Sequence, residues 1–250
     1  MTNLPPFDRS GPATAPSVIL IHGASLSRRM WVPAAAVLAT EFQVLAVDLP
    51  GHGHRPDRFT LAQSVAETAA LINAECPGGA ILAGDSLGGY VTMAVATRWP
   101  ALVKGAVVSG ATCAFDRPAW RTRLAAVGND LLVKAFKPDR LMAMTLKRVR
   151  EAYPKAPIEE IVAGGIRLEA RPAALRELAR ADLLGALPSY SGPMLLVNGE
   201  LDRVGRRHEA LFLAASRGKR VEVMAGLPLG VSLADPEGFA RIVAGFARGV

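Results

Sequence analysis

The sequence predicts an α/β protein, a doubly wound and mostly parallel sheet carrying one helical insertion. Six short β-rich runs are separated by stretches of helical periodicity, the pattern of strand–helix–strand crossovers. The rhythm breaks once, over about 80 residues between Ser109 and Pro193 that hold helical patterns and no strand signal. Half of the 250 residues are apolar and only 6 % are aromatic, enough for one sizeable, mainly aliphatic core.

The elements follow in order. Ser17–Ile21 is the first expected strand, and a helical pattern at Trp31–Thr40 follows it, with Trp31 read as core. Gln43–Val47 is the second, followed by a helix over Leu61–Ala74. Ala80–Ala83 leads through a glycine-rich turn into Leu87–Trp99, and Lys104–Ser109 closes the first half. The strandless stretch offers helices at Trp120–Val133, Leu141–Tyr153 and Ala173–Leu184, punctuated by Pro138, Pro154, Pro157, Gly164-Gly165 and Pro172. Pro193–Val197, Arg207–Ser216, Arg220–Met224 and Pro236–Arg248 complete the alternation. The expected organisation is a core of residues 1–112 and 190–250 interrupted by a helical insertion at 113–189. No internal repeat or low-complexity tract is visible.

The net charge of +7 raises the question of nucleic acid, but basic and acidic residues are interspersed and no nucleic-acid-binding motif is present. Between Asp116 and Tyr190 there are 14 Lys and Arg against 9 Asp and Glu, so most of the excess sits in the insertion. It reads as a solvated helical face, or as a mildly cationic rim for an anionic or carrier-bound small-molecule substrate. No apolar run reaches the ~18–20 residues that span a bilayer. The polar, proline-rich start lacks the layout of a signal peptide. A cytoplasmic protein with Cys76 and Cys113 reduced and buried is the expectation. Nothing calls for a cofactor or a metal. His52 and His54 lack a carboxylate or cysteine partner at ligand spacing, and oligomeric state is not legible.

The chemistry concentrates in four turns. Gly84-Asp85-Ser86-Leu87-Gly88-Gly89 lies between an apolar strand and a helix, the context in which G-x-S-x-G forms a nucleophile elbow. The flanking glycines leave room for a tight turn, and the Leu87 N–H at the helix start faces developing negative charge. His22-Gly23-Ala24-Ser25 follows the first strand, where the Ala24 N–H can aim at the same oxyanion, and His22 itself reads as structural. Asp48 to His54 forms a Gly/Pro turn. Asn198-Gly199-Glu200-Leu201-Asp202 follows the fifth run, where a carboxylate can orient a base; Asp202 is the candidate acid and Asp116 the weaker alternate.

In that order HGAS, DLPGHG, GDSLGG, NGELD and DPEGF resemble the α/β-hydrolase superfamily, in its small cap-bearing esterase, lipase and C–C-hydrolase branch. The likeness covers residues 17–110 and 190–250. It implies Ser86 as nucleophile, Asp202 as acid, the Ala24 and Leu87 amides as oxyanion hole, and the insertion as a helical lid. It also implies a shortened N-terminal strand region, since about 16 residues precede the first run. Ser25, Asp85, Trp120, Phe136, Met142 and Met144 are the candidate substrate contacts, the cap residues lining an apolar pocket.

The chain departs from the family in its last loop, where the pattern resembles G-x-G-H-x-x-x-L-x-x-P-x-x-F. Leu233, Pro236 and Phe239 fit it, which places Gly226 on the first glycine, Pro228 on the second and Leu229 on the histidine. His208, six residues after Asp202, is the alternate base, although an exposed helical histidine is the simpler reading. Three functions stay open. One is acyl chemistry on a small, mainly apolar ester, thioester or lactone, with a base from His208, His54 or the substrate, or in a variant of a parent bearing histidine at 229. Another is a cyclase, lyase or dehydratase that uses the pocket without an acyl-enzyme. The third is a non-catalytic ligand-binding protein.

Overall fold

The computed structural model describes residues 4–216 and 219–250. Seven strands form one sheet: β1 (Phe7–Ser10), β2 (Ser17–Ile21), β3 (Gln43–Val47), β4 (Ala80–Asp85), β5 (Val103–Ser109), β6 (Met194–Gly199) and β7 (Lys219–Met224). Their order is β1-β3-β2-β4-β5-β6-β7, parallel throughout except for β1, which runs antiparallel to β3 with Phe7 opposite Val47. Among the described residues the N-terminal strand region is a single short edge strand. Its four residues, Phe-Asp-Arg-Ser, carry too little alternation to stand out in the sequence.

The central strands are β-branched and aliphatic because both faces of a parallel sheet are covered. In β2, Val18 and Leu20 point to one face and Ile19 and Ile21 to the other, all fully buried. One face packs on α1 (Val32–Leu38) and α11 (Pro236–Ala247), where Trp31 stacks on Phe239 with ring centroids 5.7 Å apart. Trp31 is thus core, as its sequence context suggests. The other face packs on α2 (Leu61–Glu75) and α3 (Leu87–Arg98). Helix α2 starts where the Thr60 hydroxyl accepts the Gln63 N–H at 3.2 Å, an N-cap bond.

Between β5 and β6 the chain forms α4 (Ala119–Ala135), α5 (Pro138–Ala152), α6 (Ile158–Ala163), α7 (Ala170–Leu178) and α8 (Leu183–Ala186). The helix expected over Ala173–Leu184 is two helices. Residues 179–182 break it, and the Asp182 carboxylate caps the second by accepting the Gly185 N–H at 2.9 Å. Helix α6 has no counterpart in the sequence reading, because six residues between a proline and a glycine pair show little periodicity. After β6 come α9 (Glu209–Ala215), β7, the short α10 (Val231–Ala234) and α11. Neighbouring β2 and β4 send their connections to opposite sides, so the loops after them flank the switch point where open α/β sheets bind ligands.

Candidate active site

Ser86 sits between β4 and α3 with φ 53° and ψ −114°, a backbone conformation that L-residues rarely adopt. Neighbouring glycines make it possible. A Cβ on Gly84 would overlap the Gly88 carbonyl, and one on Gly88 would overlap the Ile21 carbonyl at the end of β2. The turn is tied to the sheet by the Ser86 N–H, which donates to Ser109 O at 2.8 Å. A Cβ placed on Gly23 would lie 3.6 Å from Ser86 Cβ, so the loop after β2 is apposed to the serine. Among the described residues neither the Ala24 nor the Leu87 N–H is taken up by a turn or loop hydrogen bond. Ser25, the next residue, is buried with φ 70°, and its carbonyl accepts the Arg167 N–H at 2.9 Å from the insertion.

Asp202 lies in the turn after β6 and is 2 % exposed. Its Oδ1 accepts the N–H groups of Val204 at 3.1 Å and Gly205 at 2.7 Å, an Asx-type turn. Its Oδ2 is buried and has no hydrogen-bond partner among the described residues. A Cβ built on Gly110 would stand 3.9 Å from Asp202 Oδ2, 3.9 Å from the Ser86 N and 3.0 Å from Leu229 Cδ1. Three turns thus converge on Gly110 at the end of β5, bringing a leucine methyl, the free carboxylate oxygen and the Ser86 turn around one point. A Cβ on Gly205 would overlap the Asp202 carboxylate, so that position too needs glycine unless the side chain shifts.

The four histidines lie elsewhere. His22 is fully buried; its Nδ1–H donates to Gly23 O at 2.8 Å and its Nε2 accepts the Leu49 N–H at 3.1 Å. Burial pushes its pKa down to about 4, with the Gly23 bond opposing, so the ring is neutral and structural. His52 is pushed to about 3 by burial and by His22, whose ring centroid is 5.1 Å away. His54 Nε2 donates to Ala163 O at 3.0 Å. His208 Nδ1 accepts the Ala114 N–H at 2.9 Å, which turns the ring toward the segment after β5. No histidine nitrogen hydrogen-bonds Asp202 among the described residues.

Asp85, the residue before Ser86, is buried with its Oδ1 accepting from Ser109 Oγ at 3.0 Å. Burial pushes its pKa up to about 6; the Ser109 and Ser232 hydroxyls oppose the rise and the Asp202 charge adds to it. Between the ordinary value near 3.8 and about 6 the folded chain holds a proton there that the unfolded chain has lost. Stability therefore falls as pH rises through that window and stays lower above it. Asp85→Asn is expected to stabilise the protein at pH 7 on the order of 2–3 kcal/mol and to change little at pH 4. Urea unfolding at both pH values checks this, and an equal effect at both would refute it.

The cap residues named from sequence divide. Phe136, stacked under Arg140 at 6.0 Å, and Met142 are half-buried. Trp120 is 60 % exposed and Met144 37 %, so these two face solvent where the sequence suggested a pocket wall. Helix α4 packs on α7 through the face of Thr122 and Ala126, which leaves Trp120, Leu124, Val127 and Leu131 outward. Tyr153 was not foreseen. Its hydroxyl donates to Leu229 O at 2.7 Å, joining the insertion to the last loop. Its pKa is raised by burial first and then by the charges of Asp85 and Asp202. No local pattern marks it, because the bond joins residues 76 apart.

A seven-stranded, mostly parallel sheet with a serine elbow after β4 and a buried aspartate after β6 defines an α/β-hydrolase architecture. The chain belongs to the alpha/beta hydrolase family, whose profile matches residues 18–242. It is 29 % identical over 251 residues to the pimeloyl-[acyl-carrier protein] methyl ester esterase of Yersinia pseudotuberculosis serotype IB (strain PB1/+), covering 92 % of this chain and 93 % of that protein. The enzyme of the same name from Vibrio campbellii (strain ATCC BAA-1116) is 30 % identical over 197 residues, covering 75 % and 76 %. The crystal structure of a hydrolase from Pseudomonas aeruginosa PA01 superposes with a TM-score of 0.80 at 21 % identity, covering 96 % of this chain and 93 % of that one.

Proposed function

We propose that the chain acts on a carboxylic ester or thioester of a mainly apolar acyl group, with Ser86 as the attacking hydroxyl and the Ala24 and Leu87 amides as oxyanion hole. The Ser86 turn supports this most directly: it holds a hydroxyl on a strained backbone opposite the Gly23 loop, beside two uncommitted N–H groups. Residues 113–189 act as the cap over the pocket, and Phe136 and Met142 supply its apolar lining. The names of the relatives point to a methyl ester whose acyl group is held on an acyl-carrier protein. The excess of Lys and Arg in the insertion suits an acidic carrier.

In this reading Leu229 occupies the place of the general base, and Asp202 is the acid left without its imidazole. The Ser86 proton then passes to water or to a basic group of the substrate, so turnover is slow. The lack of a histidine on Asp202 among the described residues also favours a second reading, in which the two amides stabilise an enolate or alkoxide and Ser86 only donates a hydrogen bond. A fluorophosphonate probe separates the two. Slow labelling that is lost in Ser86→Ala is expected for the first reading. Absence of labelling on the native chain overturns the first.

A further inference from the structure

We propose that a cleft whose lining does not include Ser86 binds a phosphomonoester. It has a volume of about 480 Å³ and lies between the segment after β5, the start of α4 and the loop that follows Asp202. Arg121, Arg203, Arg207 and His208 line it, with Phe115 and Leu175 as apolar wall. Arg117, on the same rim, is held by Asp116 at 3.1 Å and Asp182 at 2.9 Å, so it is already committed. The other three arginines form no ion pair among the described residues.

His208 completes the donor set. Because its Nδ1 accepts the Ala114 N–H, the proton of the neutral ring is on Nε2, which is left as a donor. Three guanidinium groups and an imidazole N–H offer more donors than the two oxygens of a carboxylate can accept. A phosphomonoester, with three terminal oxygens and a charge of about −1.5 to −2 at pH 7, matches them. Planar guanidinium forks suit that geometry better than ammonium groups. The apolar wall gives the organic remainder of the ligand a place to lie. The site stands whether or not Ser86 forms an acyl-enzyme.

Calorimetric titration of the Ser86→Ala protein with phenyl phosphate, inorganic phosphate and benzoate tests the assignment without requiring turnover. Phenyl phosphate should bind most tightly, with benzoate weaker by about tenfold, and affinity should fall as salt rises. Arg203→Ser and Arg207→Ser, both at exposed positions, should each cost about tenfold in phosphate affinity. Equal affinity for benzoate overturns the phosphate assignment. Undiminished binding in the double arginine variant, or no binding of either phosphate, overturns the site.

Discussion

Replacing Leu229 by histidine is expected to raise ester hydrolysis on the order of 10³-fold or more, since removing the histidine from a serine protease triad costs about 10⁶ in kcat. The frame for the imidazole is in place. Asp202 Oδ2 is buried without a partner among the described residues, and it, a Leu229 methyl and the Ser86 N all lie within 4 Å of a Cβ built on Gly110. A histidine whose Nδ1–H donates to Asp202 Oδ2 is held in the tautomer that leaves Nε2 free to take the serine proton. The base works only when neutral, so the rate of Leu229→His should rise with pH through about 6.5. A short-chain nitrophenyl ester serves as substrate. Adding Asp202→Asn should remove most of the gain, as the loss of the aspartate does in serine proteases, by about 10⁴. A folded Leu229→His protein with an unchanged rate would show that Asp202 or the pocket is unsuited to triad chemistry.

The largest structural penalty is expected at Gly88. A Cβ there would overlap the carbonyl of Ile21, and β2 is a central strand that cannot retreat, being bonded to β3 on one side and β4 on the other. Gly88→Ala should destabilise the protein by about 4 kcal/mol or more, the range of severe core overpacking, and lower soluble yield accordingly. Gly128→Ala is the matched control. Gly128 lies within α4 with nothing near its added methyl, so the same substitution should stabilise by roughly 0.5–1 kcal/mol through helix propensity. Thermal or urea unfolding of the two variants side by side reads the contrast. Comparable effects would mean that the approach of α3 to β2 is not what fixes the turn.

What the sequence made legible was whatever is encoded within a few residues. Ser17–Ile21 and Gln43–Val47 are bounded as read, because apolar runs ending at Pro, Gly or His turns define themselves. The elbow was visible for the same reason, its glycines and serine being neighbours in the chain. Strand β1 escaped because an edge strand of four residues is held by its partner rather than by its own pattern. Gly110, Gly205 and Tyr153 escaped because their importance arises only when separate loops meet. His208 is the intermediate case: the sequence places it near Asp202, but only the fold shows its Nδ1 bound to Ala114.

The bond from Tyr153 to Leu229 is made to a carbonyl, so it grips the main chain and ignores the side chain. Position 229 is therefore a socket whose mounting is independent of its occupant. Different side chains can be exchanged there while the surrounding loop keeps its path. Under the proposed function, exchanging Leu229 for histidine would then change the reaction without asking the loop to move.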